Sequence, residues 1–344
     1  MCWIIYIFYI IGSIVTGDIL ESVSRSVNGK VARRSLDISA FFIWRVMTIR
    51  KKQVSHLLHD VENLISNKNK GIPKLWIITG IIITIVIPLA SSMCLAIPFR
   101  DERDCRIFVK HHSFGFDLVN EGSNCDVLLI EFLIRQLFVY TLRTAVTVVY
   151  VIICCTLRNI LNTHSELGAK RVTNPNAEID YAYFKSYMQK QDSVLSVLKS
   201  FEKTMSLPIF LIVSSDFMAI IYGVVKLDPL NNIPEHKLSM KRFIPGIIFI
   251  SLRGVASFLS ISFAASEVHE ASKNATDVEK AMLKQILISR EKANIQKAVS
   301  FKILHSSPPF ILSAWGIFRF TKSLFLSVFG NVLTYSLLIM QILK

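Results

Sequence analysis

The chain has 344 residues, of which 52% are hydrophobic and 19% are charged, with a mean hydropathy of +0.46 and a formal net charge of +14. Soluble proteins carry about 25% charged residues, and several apolar blocks here reach the roughly 18 residues that indicate a membrane span. This excludes a cytosolic globular enzyme, a disordered chain and a small disulfide scaffold. Basic loops that face anionic lipid head groups explain the positive charge, so no nucleic-acid partner is expected.

Seven hydrophobic segments are predicted to cross the membrane as helices. They lie at 1–17, 35–49, 75–98, 127–157, 204–225, 243–266 and 320–343. The first has no basic region before it and no clear cleavage site, so we interpret it as a span rather than a signal peptide. The second is the weakest, because it contains Asp37 and Arg45. Period-two alternation, which a membrane β-barrel requires, is absent, so an all-α membrane protein with seven transmembrane helices is predicted.

Three long polar loops follow the second, fourth and sixth segments, at 50–74, 158–203 and 268–319. Their apolar residues recur at helical spacing, as Leu57 and Val61 do in the first loop. The three loops fall on one side of the membrane, and we expect them to form helical extensions of the spans. Together these loops contain more Lys and Arg residues than the shorter loops on the other side, which favours the cytoplasmic side for them. They are also longer, so the number of basic residues per residue of loop is not higher. The positive-inside rule therefore does not decide the orientation.

Two charged residues lie near the middle of consecutive segments, Asp216 in the fifth and Arg253 in the sixth. Both are equally far from the centre of the connecting loop, so they lie at equal depth in an antiparallel pair of helices. An unpaired Asp or Arg at the bilayer centre costs about 2.5–3.5 kcal/mol on the insertion scale. We therefore expect an ion pair between them, with Glu131 of the fourth segment as an alternative partner for Arg253.

The carboxyl-terminal stretch 314–341 resembles the seventh span of arthropod gustatory receptors, members of the insect taste and odorant receptor superfamily. The signature of that family is Thr-Tyr, five apolar residues and then Gln-Phe. In this chain it is Thr334-Tyr335, five residues with one serine among them, and Gln341, with Ile342 in place of the final Phe. Elsewhere the resemblance depends on the arrangement of seven spans and long helical loops.

The resemblance implies a multi-pass plasma-membrane protein of inverted topology, with the amino terminus inside and the carboxyl terminus outside. It further implies a taste receptor that acts as a ligand-gated, non-selective cation channel. The receptor would be a homo- or heterotetramer with related receptors, it would bind a small-molecule tastant, and its last helix would line a central pore. The long loops 50–74, 158–203 and 268–319 would then form a cytoplasmic anchor between subunits.

Within this framework, Thr334, Leu338 and Gln341 are candidates to line the pore. A polar Gln341 next to Leu338, one helical turn away, suits an ion path beside an apolar gate. The alternative is that Gln341 hydrogen-bonds a neighbouring helix. Tyr335 is expected to pack between helices.

The family's ligand pocket would lie in the outer half of each subunit. Gln136 and Tyr140 share a face of the fourth segment at that depth, and Phe217 and Tyr222 of the fifth would supply aromatic walls. Polar residues inside a span are candidates for a functional site, although these side chains could instead stabilise the bundle.

Cys105 and Cys125 share the loop after the third segment, which this topology places in an oxidising compartment. A disulfide between them is expected, and closing a loop of about 20 residues would contribute roughly 3 kcal/mol. The other cysteines show no metal-binding spacing.

Two other functional classes remain open at this stage. A G-protein-coupled receptor would need the opposite orientation, and a secondary transporter usually shows internal repeats, which we do not find. No catalytic or phosphate-binding motif is present, so neither an enzyme nor a cofactor is expected.

Overall fold

The computed structural model describes residues 27–66, 74–96, 126–174, 179–226, 237–288, 292–305 and 308–342. Its helices are α1 Val27–Ile49, α2 Lys51–Ser66, α3 Lys74–Ala96, α4 Asp126–Thr173, α5 Tyr181–Lys226, α6 Lys237–Ile288, α7 Lys292–His305 and α8 Lys322–Ile342. Strands β1 Ser313–Ala314 and β2 Phe318–Arg319 form an antiparallel hairpin between α7 and α8. The predicted segment 1–17 and the predicted Cys105–Cys125 disulfide lie outside the described residues.

Four of the described helices contain stretches that are long and apolar enough to cross a membrane. These apolar stretches lie within the helical ranges Leu75–Cys94 of α3, Leu137–Thr173 of α4, Tyr181–Ile221 of α5 and Ile244–Ile288 of α6. A shorter apolar stretch, Ile38–Ile49, lies in α1. The all-helical membrane architecture predicted from composition and periodicity is confirmed. The hairpin was not predicted, because strands of two residues are too short to show alternation.

Helices α4, α5 and α6 are far longer than a bilayer is thick. They contain 48, 46 and 52 residues, which at 1.5 Å per residue correspond to about 70–78 Å, whereas the hydrocarbon core is about 30 Å thick. Each therefore continues from its apolar stretch into a polar extension without a break. The polar sequences 158–203 and 268–288 are mostly helix for this reason.

The main hydrophobic core lies between α4, α5 and α6, and α1, α2 and the hairpin pack against it. A second, smaller cluster joins the ends of the extensions to α7. It consists of Ile179, Phe184, Tyr187, Met188, Met282, Ile286 and Ala298. Beside it, the almost fully buried carboxylate of Glu279 forms an ion pair with Lys302 of α7. Burial lowers the pKa of Lys302, and Asp192 opposes that shift. This pair connects α7 to α6.

Candidate functional site

A buried cluster of charges joins α4, α5 and α6 within the predicted spans 127–157, 204–225 and 243–266. The Asp216 side chain is fully buried, and its Oδ1 accepts a hydrogen bond from Arg143 Nη2 at 2.7 Å. The same oxygen lies 3.5 Å from Arg253 Nη2. The structure thus brings Asp216 and Arg253 together, and it adds Arg143 as the closer partner of Asp216.

Tyr140 supports this charge cluster from α4. The guanidinium carbon of Arg253 lies 4.7 Å from the centre of the Tyr140 ring, and such a cation–π contact is worth about 2 kcal/mol when it is desolvated. The phenol ring is 2% exposed. Tyr140 therefore packs against a structural cation, and it does not line the cavity described below.

Two glycines allow α5 and α6 to approach closely on either side of Asp216. A Cβ atom at Gly254 would lie 3.1 Å from the backbone carbonyl oxygen of Asp216. A Cβ atom at Gly223 would lie 1.7 Å from Ser251 Oγ and 2.8 Å from Ser251 Cβ. Small residues at such contacts let membrane helices pack backbone to backbone, and here they bring the Asp216 carboxylate within reach of α6.

Phe217, the neighbour of Asp216, belongs to an aromatic cluster that connects α5 to the hairpin before α8. Its ring centre lies 5.0 Å from that of Phe258 and 6.3 Å from that of Phe318. Phe210 lies 5.4 Å from Trp315, also between ring centres. Like Tyr140, Phe217 does not line the cavity. The side chains of the other two predicted pocket residues, Gln136 and Tyr222, lie outside the described part of the structure, so that pocket stays a prediction.

The hairpin that carries Trp315 turns sharply. Trp315 has a φ of 52° and Gly316 a φ of 72°, and the Ile317 amide donates to the Ala314 carbonyl at 3.0 Å. The left-handed region is uncommon for a residue as large as tryptophan. The turn directs the chain from the core back into α8.

A cavity of about 660 Å³ lies between α3, α4 and α6. Its walls are mainly aliphatic, and Arg253 is the one ionisable side chain among the described residues that line it. The lining residues of α4 run from Thr144 to Ile152 and follow Tyr140 in the chain. The cavity is therefore nearer to the polar extensions than the predicted pocket. No feature of the sequence indicated it, since its walls consist of ordinary membrane-span residues.

The predicted pore residues share one face of α8. Thr334, Leu338 and Gln341 are spaced at i, i+4 and i+7, and all three side chains are exposed. Leu338 is 48% exposed, and the Thr334 hydroxyl donates to the carbonyl of Gly330 at 2.8 Å. The Tyr335 side chain lies outside the described part of the chain. A single chain thus leaves this face of α8 uncovered.

Comparison with known proteins agrees with this architecture. Residues 51–342 match the 7tm chemosensory receptor family, and the chain belongs to that family. Its structure is similar to that of the insect olfactory receptor OR5 from Machilis hrabei, with a TM-score of 0.68 and 12% identity, over 99% of this chain and 86% of that chain. The complex of OR5 with eugenol gives a TM-score of 0.67 at the same identity and coverage. No curated protein matches significantly. The resemblance to the insect taste and odorant receptor superfamily is confirmed.

Proposed function

We propose that this chemosensory receptor is a gustatory receptor that acts as a ligand-gated, non-selective cation channel. The observation that carries the proposal is the uncovered face of α8, on which Thr334 and Gln341 flank Leu338. Polar side chains are costly against lipid, whereas a water-filled pore with an apolar constriction accommodates this pattern. Four copies in the plasma membrane, identical or related, would place the four faces around one axis.

The comparisons support gating by a small molecule. The family is one of chemosensory receptors, and the similar receptor OR5 has been solved in complex with eugenol. A tastant that binds within the helical bundle would have to move α8. The aromatic contacts between α5 and the hairpin, which include Phe217 with Phe318, provide a direct path.

Currents recorded from cells that express only this chain test the proposal. A panel of tastants with a calcium readout identifies an agonist, and whole-cell recording then measures the reversal potential. We expect an agonist-evoked cation current. A second-messenger response without current, from protein shown to be at the surface, would instead support a G-protein-coupled receptor.

The pore assignment is tested by three substitutions at two positions of α8. Gln341→Glu and Gln341→Lys are expected to shift the reversal potential in opposite directions, because each places a charge beside the ion path. Leu338→Ala is expected to raise the basal current several-fold by widening the apolar constriction. Leu89→Ala is a matched control, since Leu89 is 41% exposed on α3 and should change neither quantity. If the reversal potential and the basal current are unchanged in all α8 variants, Gln341 has a packing role and does not line the pore.

The proposed orientation places the polar extensions in the cytoplasm, and one sequon tests it. Asn274-Ala275-Thr276 is the only Asn-x-Ser/Thr site in the chain without an intervening proline, and Asn274 is exposed on the extension of α6. A cytoplasmic site does not meet the glycosylation machinery. We expect glycosidase treatment to leave the electrophoretic mobility unchanged, whereas an Asn274-dependent shift would reverse the orientation.

A further inference from the structure

Among the described residues that line the cavity between α3, α4 and α6, Arg253 is the one charged group, and its hydrogen-bonding capacity is incompletely used. The Arg253 side chain is 6% exposed, and it lies 3.5 Å from an oxygen that Arg143 already approaches at 2.7 Å. A guanidinium carries five N–H donors. Arg253 Nε is buried and has no hydrogen-bond partner among the described residues. Arg253 therefore has unused hydrogen-bonding capacity, and its side chain is part of the cavity wall.

The rest of the cavity favours a hydrocarbon. Its walls include Ile83 and Ile87 of α3, Val148 and Ile152 of α4, and Phe249 of α6. Hydroxyl groups are also present, but those of Ser and Thr in helices usually bond to the preceding turn. Ser260 does so here, donating to the Ala256 carbonyl at 2.7 Å. A ligand with one polar end and one long apolar part complements these walls.

The surroundings of the cavity indicate how such a ligand would enter. Among the four described membrane-length helices, α3 is the least covered by the rest of the protein. Only 22% of the residues in its most apolar window are buried, whereas the share is 44% to 50% in the other three helices. One wall of the cavity is thus a helix that largely faces lipid. An entrance beside α3 would admit a molecule dissolved in the bilayer.

We infer that this cavity binds a single-chain amphiphile with a carboxylate head group, such as a fatty acid, with the carboxylate on Arg253 and the chain along α3. Charge-assisted hydrogen bonds between arginine and carboxylate are among the strongest in proteins, and they are often bidentate. Arg253 lies near the middle of the predicted span 243–266. The phosphate of a phospholipid stays at the membrane surface, so a free fatty acid fits this depth better.

The same contacts connect the cavity to α8. A carboxylate on Arg253 competes with Asp216 for the guanidinium, and Asp216 is already the shorter partner of Arg143. Its neighbour Phe217 contacts Phe318 in the hairpin that leads into α8. Only this consequence for gating depends on the proposed channel function, and binding itself does not.

Direct binding of radiolabelled decanoate to the purified full-length chain tests the inference. The chain is placed in phosphatidylcholine nanodiscs, and empty nanodiscs correct for partitioning into lipid. We expect saturable binding that weakens at least tenfold in Arg253→Gln. Decanol has the same chain length but no charge, and it should compete at least tenfold less well than unlabelled decanoate.

A second pair of variants tests the location without altering Arg253. Ala256 lines the cavity one helical turn from Arg253, so Ala256→Trp should obstruct the space beside Arg253 and weaken binding at least tenfold. Ile248 is 40% exposed on the same helix and does not line the cavity, so Ile248→Trp should bind normally. The inference is overturned if Arg253→Gln or Ala256→Trp binds decanoate like the wild type, or if decanol competes equally. If Arg253→Gln does not fold, Ala256→Trp decides. Because no current is measured, failure here is distinguishable from failure of the channel proposal.

Discussion

Asp216→Ala is expected to remove most of the receptor from the cell surface, whereas Arg253→Ala is expected to retain most of it. The first substitution leaves the guanidinium groups of Arg143 and Arg253 close together in a buried site without the carboxylate between them. Breaking a buried ion pair in this way costs about 3–5 kcal/mol, a large part of the roughly 5–15 kcal/mol that stabilises a typical protein. The second substitution leaves the shorter pair, Arg143 with Asp216, intact.

Surface biotinylation, together with size-exclusion chromatography of the solubilised protein, measures this difference. Asp216→Asn is the matched control, since it retains the size of the side chain and an acceptor oxygen but removes the charge, and we expect an intermediate loss. Arg143→Ala should be more damaging than Arg253→Ala, because it removes the 2.7 Å contact. Equal losses for Asp216→Ala and Arg253→Ala would show that the three charges do not act as the geometry indicates.

Gly223→Ala is expected to destabilise the bundle by pushing α5 away from α6. The added Cβ would lie 2.8 Å from Ser251 Cβ and 1.7 Å from Ser251 Oγ. The hydroxyl can rotate away, but Cβ is attached to the backbone of α6 and cannot. Forcing an extra carbon into a well-packed core costs typically about 1–3 kcal/mol, and here the displacement also pulls Asp216 away from Arg253.

The thermal transition of the purified protein in detergent measures the effect, and the chain offers both a rescue and a control. Ser251→Gly removes the atoms that the new Cβ would meet, so Gly223→Ala should lower the transition temperature much less in the Ser251→Gly background than in the wild type. At Gly330 a Cβ would meet nothing within 4 Å, and alanine favours a helix over glycine, so Gly330→Ala should not lower the transition temperature. Absence of rescue would mean that Ser251 is not the obstacle.

The pairing of Asp216 with Arg253 could be anticipated because α5 and α6 are consecutive. A short connection between antiparallel helices makes depth a simple function of distance along the chain, and burying an isolated charge is costly enough to favour a partner at that depth. Arg143 was visible as a charged residue near the middle of the fourth segment. Its role could not be assigned, since the connection between α4 and α5 runs through long extensions that leave the rotation of α4 undetermined.

The sequence by itself determined the class of this protein and its all-helical membrane architecture. Apolar blocks longer than a bilayer is thick are compatible only with membrane helices, and the signature at Thr334, Tyr335 and Gln341 identified the superfamily. The tertiary structure alone decided which helix faces meet. It made Arg143 the closer partner of Asp216, placed Tyr140 against Arg253 and left a cavity beside α3. The physical reason is that contacts between helices, and the space left unfilled between them, depend on how the helices are rotated and spaced. Those quantities are set by packing between segments that are far apart in the sequence.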